Sequence, residues 1–211
     1  DWMMRKGLLE DRLSFQSSIR QRTVIHQVKR FAVNPVHAQR VADHALSLYE
    51  QTQGLLHDDE GYGRELLWAA SMLHTCGQHI NLSAYHKHSW YLIRHGELLG
   101  YSEAEHLMVA AIARYHRRSI PKKRHYEWQA IAKKEHRQIV SEMSLILRLA
   151  ASMNRRPDPV VSSVKVTSKN MEISLELVPD RFDQNLSLEK WGLRDCASAI
   201  KSFSGLKLTV I

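Results

Sequence analysis

The chain has 211 residues, of which 44% are hydrophobic and 25% charged, with 30 Lys+Arg against 22 Asp+Glu for a formal charge of +8. That apolar share excludes a disordered chain, and the longest unbroken apolar run, Leu107 to Ala113, falls far short of the roughly 18 residues a membrane-spanning helix needs. Two cysteines, Cys76 and Cys196, make neither a disulfide framework nor a Cys-rich zinc pattern, so a reducing, cytoplasmic setting is expected.

The opening Asp1-Trp2-Met3-Met4 has no start Met and no signal-peptide pattern, and the chain is expected to be a piece of a longer polypeptide. A weak helical pattern runs from Gln16 to Phe31. Asn34-Pro35 then reads as an N-cap with proline at the first helical position, followed by Val41, Ala45, Leu48 and Tyr49 on one face until Gly54. Leu66, Ala70 and Leu73 predict a further helix ending at Cys76-Gly77, and Ala84 to Ile93 a weaker one. Ser102-Glu103-Ala104-Glu105 is a capping box, with Met108, Ile112 and Tyr115 as the stripe behind it. Met143, Ile146, Leu147 and Ala150 give one more stripe.

Asn154-Arg155-Arg156-Pro157-Asp158-Pro159 ends the helical part, because two prolines close together stop a helix. Residues 1–157 hold 23 basic and 15 acidic side chains and all 13 histidines, whereas residues 158–211 hold seven basic and seven acidic ones. A helical domain over 1–157 and a small α+β domain over 158–211 are therefore expected. In the second, Val164 and Val166 alternate with polar residues, as do Met171, Ile173, Leu175 and Leu177 after a Ser168-Lys169-Asn170 turn, predicting a hairpin. Ser187 to Ser204 reads as one helix with Leu188, Trp191, Ala197, Ile200 and Phe203 on its stripe, stopped by Gly205 before a last strand through Leu206, Leu208 and Val210. The fold class is thus mainly α followed by a small ββαβ unit.

Two clusters could carry chemistry. Residues 114–125 place Arg114, Arg117, Arg118, Lys122, Lys123 and Arg124 beside His116 and His125, at a helix end where one or two cations would satisfy the dipole. The surplus suits a polyanion, since guanidinium forks and ammonium groups match phosphate oxygens. The second cluster, His74-Thr75-Cys76-Gly77-Gln78-His79 with His86-Lys87-His88, His37 and His44, matches no standard zinc spacing, so no metal is assigned to it. Glycine-rich nucleotide loops and the nucleophile elbow of serine hydrolases are missing from the sequence.

Met72-Leu73-His74-Thr75-Cys76-Gly77, then Ile80-Asn81, Ser83, His86-Lys87-His88-Ser89, Tyr91-Leu92-Ile93 and Ala113-Arg114-Tyr115-His116-Arg117 resemble the C-terminal half of exopolyphosphatases and guanosine pentaphosphate phosphatases, the Ppx/GppA family. Asp1 to Leu9 resembles the stretch following that family's second actin-like domain, and Leu188-Glu189-Lys190-Trp191 its terminal α+β domain. The resemblance implies a helical bundle related to HD-domain phosphohydrolases, which hold metals with a helix His, a His-Asp pair and a later Asp. His37 and His74 match the histidines, but Thr75 and Ala151 stand where the two Asp residues would be. Carboxylates offset the charge of paired divalent cations, so the HD-type centre is expected to be extinct and no catalytic residue is assigned to this chain.

The resemblance further implies that hydrolysis of inorganic polyphosphate, with Mg2+, belongs to N-terminal actin-like domains outside this sequence. The chain is expected to bind polyphosphate through Arg114, His116, Arg117, Arg118, Lys122, Lys123 and Arg124, with His86, Lys87 and His88 nearby, and to help form a homodimer. Two rival readings are a surviving HD-type phosphohydrolase of guanosine polyphosphates using His37, His74, His79 and a carboxylate such as Asp43, and a nucleic-acid-binding module in which Tyr115, Tyr126 and Trp128 stack on bases.

Overall fold

A computed structural model describes residues 18–211, and the resemblance carried by residues 1–9 lies outside them. The first helix, α1 (Ile19–Arg30), starts at a capping box in which the Ser18 hydroxyl accepts from the Gln21 N–H and the Gln21 side chain accepts from the Ser18 N–H. Its Thr23 and Gln27 side chains both donate to the Glu97 carbonyl, tying it to a later loop. In α2 (Pro35–Gln51), the Asn34 side chain accepts from the N–H groups of Val36 and His37, as the Asn-Pro pair predicts. Ala38, Ala42 and Ala45 sit fully buried on its inner face, and such small residues let it lie close against α3 (Tyr62–Leu73).

A 3-10 turn over Cys76–His79 links α3 to α4 (Tyr85–His95). A Cβ on Gly77 would meet the Tyr85 carbonyl at 2.1 Å and the Ser89 nitrogen at 2.3 Å, so only glycine allows this turn to lie on the start of α4. Ser89 secures the approach, its hydroxyl accepting from the Gly77 N–H and donating to the His74 carbonyl. The predicted capping box at Ser102 opens α5 (Glu103–Tyr115). A four-residue helix, α6 (Tyr126–Gln129), precedes α7 (Lys134–Ser152), which packs against α2, α3 and α5. Met108, Ile112, Met143, Ile146 and Leu147 are fully buried in that contact, each worth roughly 1.5–3 kcal/mol of apolar transfer.

Downstream, β1 (Val161–Lys169) pairs antiparallel with β2 (Glu172–Pro179), and β2 pairs in parallel with β3 (Lys207–Val210). The parallel pair requires a crossover, which α8 (Ser187–Arg194) and α9 (Ala197–Ser204) supply. Two details differ from the sequence pattern. Asn170 and Met171, at φ +50° and +61°, make the hairpin turn, and Lys169 pairs directly with Glu172. Both central residues at positive φ match the twist of the strands, so Met171 belongs to the turn and is exposed.

The single predicted helix over 187–204 is two helices. The chain turns at Asp195-Cys196, and the faces turned inward hold Glu189, Gly192, Leu193, Ala199 and Ile200, while Leu188, Trp191 and Phe203 are exposed. The break shifts the helical phase, so a stripe extrapolated across it misplaces its members. The sheet is tied to α2 along its outer edge. Gln51 donates to the Val164 carbonyl and accepts from the Val166 N–H, covering an edge that would otherwise expose unpaired backbone groups. Among the described residues, no helix is long and apolar enough to cross a membrane.

Candidate functional site

Four helix ends bring His37, His74, Tyr85 and His116 together. His37 lies in the first turn of α2, His74 and His116 cap the C-termini of α3 and α5, and Tyr85 opens α4. The His74 and His37 rings stack with centroids 5.9 Å apart, and His74 meets His116 edge-on at 5.0 Å. Carbonyl partners decide the tautomers. Nδ1 of His74 donates to the Ser71 carbonyl and Nδ1 of His116 to the Ala113 carbonyl, each at 2.6 Å, leaving Nε2 of both rings as an acceptor. The Tyr85 hydroxyl donates to Nε2 of His116 at 3.1 Å. Nε2 of His37 donates to the Asn154 carbonyl at 2.9 Å.

Burial pushes His74 down to about 4, with His37 adding to the effect, and burial with the nearby His74 holds His116 well below the usual imidazole range. Both are neutral at pH 7. These two rings are a buried, hydrogen-bonded and uncharged pair.

His37 also lines a groove of about 500 Å³, with Thr75, His79, Arg155, Arg156 and Pro157 in its lining and, among the described residues, no aspartate or glutamate. The Arg155 guanidinium lies 4.8 Å over the Trp191 ring, and Nε of Arg156 is 3.0 Å from the Glu189 carboxylate, which is 0% exposed. Arg117 stands over the Tyr85 ring at 4.8 Å. Burial raises the Tyr85 phenol above its ordinary value, while Arg117 and Arg155 pull it the other way.

The residues present do not fit the paired metals of an HD-type centre. Nε2 of His37 and Nδ1 of His74 are committed to carbonyls, Thr75 and Ala151 offer no carboxylate, and among the described residues no group of three or more His, Cys, Asp or Glu could hold a metal ion. His79 is exposed on the groove rim, and the exposed Asp43 accepts from Gln39.

The predicted basic set divides. Arg114 is only 4% exposed and donates to Glu127 at 2.8 Å, so its charge is spent inside the protein and is not offered to a surface anion. His116 and His86 are likewise buried, and burial together with Arg114 and Arg117 pushes His86 down to about 4. These three depart from the expected polyanion-facing set because the C-terminal turn of α5 and the first turn of α4 face the core. Arg118, Lys87, Lys122, Lys123 and Arg124 are exposed, and Arg117 and His88 half-buried.

Ile120 and Pro121 interrupt the run and line a smaller cavity of about 160 Å³ with Tyr115, Trp128 and Phe203. The charges of Arg117 and Arg118 help lower His86, whereas those of Arg124 and Lys122 help lower His125. Arg155 and Arg156 were legible in the sequence only as part of a helix-ending segment. Their position after α7 and before two prolines is a signal that the chain turns there, but not toward what.

A model of the Ppx/GppA phosphatase family, domain III, matches residues 19–196. The chain belongs to the Ppx/GppA family. Its similar proteins include a guanosine-5'-triphosphate,3'-diphosphate pyrophosphatase of Pseudoalteromonas translucida (strain TAC 125), 29% identical over 180 residues that make up 84% of this chain and 35% of the relative. Another of that name from Pseudoalteromonas atlantica (strain T6c / ATCC BAA-1087) is 30% identical over 198 residues, 89% of this chain and 38% of the relative. The chain therefore spans little more than a third of the length of these curated relatives. The Ppx/GppA match runs through the bundle, the hairpin and α8, so the groove and the helix that flanks its arginines both lie within the family domain.

Proposed function

We propose that this chain is the substrate-gripping, non-catalytic part of a Ppx/GppA phosphohydrolase, holding a linear run of phosphates while hydrolysis takes place in actin-like domains of the parent polypeptide. Inorganic polyphosphate and guanosine pentaphosphate share that chemistry, and the names of the two relatives support a substrate of this kind. One observation carries the reading: a groove lined by Arg155 and Arg156 together with His37 and His79, and, among the described residues, by no carboxylate. Adjacent guanidinium groups present planar donors to phosphate oxygens, and Arg117, Arg118, Lys87 and the Lys122–Arg124 cluster extend the field beyond the groove. Mg2+ belongs to the parent's catalytic cleft in this proposal, and the parent acts as a cytoplasmic homodimer.

Equilibrium binding of long-chain polyphosphate to the protein tests this. Affinity should fall steeply with salt, as it does whenever many weak phosphate contacts release counterions. An Arg155→Ala/Arg156→Ala variant should bind about tenfold or more weakly, and polyphosphate should outcompete a single-stranded oligonucleotide at one salt concentration. Equal binding by that variant removes the groove. Preference for the oligonucleotide would instead support the nucleic-acid reading, and stoichiometric Mn or Fe in the purified protein the HD-type enzyme.

A further inference from the structure

The two groove arginines come from the segment after α7, and both meet residues of α8. Arg156 pairs with Glu189 on α8. Both oxygens of Glu189 are buried without a well-aligned hydrogen bond, so the cation beside them is its only compensation among the described residues. Arg155 passes across Gly192 of the same helix: a Cβ there would lie 2.6 Å from its Nε and 2.9 Å from its Cζ, closer than any real contact. Trp191, 57% exposed and between them in sequence, gives its ring face to the Arg155 guanidinium. Three residues of one helix turn, a carboxylate, a ring and an absent side chain, thus meet two consecutive arginines.

We infer that Glu189, Trp191 and Gly192 are positioning residues for the phosphate-binding groove, so that the small C-terminal unit aims the cations with which the helical bundle grips its substrate. This rests on the groove reading above. Each residue acts on a different degree of freedom. Glu189 anchors Arg156 from behind through Nε, leaving the terminal amino groups of the fork for a phosphate. Gly192 supplies the space through which the Arg155 stem passes, and Trp191 fixes the plane of its guanidinium without consuming donors. None of the three needs to touch the anion. Because the effect is a coupling, it is reciprocal: phosphate held by Arg155 and Arg156 favours the docked position of α8.

Gly192→Ala separates this from a purely structural role, since the nearest atoms a new methyl displaces are those of a flexible side chain, with the Ser152 carbonyl next at 3.0 Å. Long-chain inorganic polyphosphate is the probe, with affinity measured across a salt series. Arg155→Ala should weaken binding about tenfold and flatten the salt dependence by about one contact. Gly192→Ala should reproduce most of that loss and have little further effect when combined with Arg155→Ala, and Glu189→Gln should behave likewise toward Arg156→Ala. Full additivity in both double variants, or wild-type affinity in Gly192→Ala and Glu189→Gln, overturns the positioning role while leaving the groove intact. If Arg155→Ala and Arg156→Ala both bind as wild type, the groove reading itself fails. A thermal melt of each variant, expected to stay close to wild type for Gly192→Ala, separates loss of aim from loss of fold.

Discussion

The Tyr85 hydroxyl donates to Nε2 of His116 across 3.1 Å, and the opposite nitrogen of that ring donates to the Ala113 carbonyl. A buried imidazole thereby has both nitrogens satisfied with no charge, directly beneath a surface crowded with cations. Tyr85→Phe keeps the ring that Arg117 covers but leaves an unpaired acceptor in the core. It should cost about 1 kcal/mol, a drop of roughly 2–4 °C in melting temperature for a chain of this size, while polyphosphate affinity changes little. A melt unchanged from wild type would show that His116 finds another donor.

Burial depresses His74 to about 4 and lowers His116 and His44 as well. For such groups the unfolded chain takes up protons first, so it binds more of them than the native state between the ordinary histidine value of 6.5 and about 4. Stability is full above that window and is lost as pH falls through it, by roughly 3 kcal/mol for His74 alone at the lower end. Denaturant midpoints at pH 7.5, 6 and 5 should decrease in that order. Replacing His74 by Gln should lower the overall stability but flatten the slope; an unchanged slope would mean that other groups set it.

Arg114 belongs to the fold. Burial pushes the Glu127 carboxyl up, but the hydrogen bond and charge of Arg114, with Glu127's own backbone N–H and His125, together more than offset it, leaving that group below its ordinary value. Truncation to Arg114→Ala strands a carboxylate that is only 16% exposed and should cost about 3 kcal/mol. Glu127→Gln should cost less, because the guanidinium can still donate. In the folded fraction of either variant, polyphosphate affinity should match wild type; a loss comparable with that of Arg155→Ala would return Arg114 to the binding set.

The groove and the loop are separable by salt titration. Lys122→Ala/Lys123→Ala/Arg124→Ala should weaken polyphosphate binding modestly and flatten the salt dependence, since exposed cations act mainly through the long-range field. Arg155→Ala/Arg156→Ala should cause the larger loss at every salt concentration. The reverse ranking would move the principal contact to the loop.

The helical bundle is legible along the chain. Asn34-Pro35 and the Ser102 box fix two helix starts through side-chain bonds made within one turn, and the stripes through Val41, Met108 and Met143 are buried as their spacing demands. Ser18 with Gln21 carries the same capping signal for α1, where the helical pattern alone is weak. Local hydrogen bonding and periodicity are properties of neighbouring residues, so they can be read along the chain. Where charge ends up is settled by three-dimensional packing: Arg114 inside against Glu127, His86 and His116 beneath the surface, and Arg155 and Arg156 in a groove against Glu189 and Gly192. A run of cations looks alike in sequence whether it faces solvent or core, because partners 13 to 37 positions away set its burial, and distant partners leave no periodic trace.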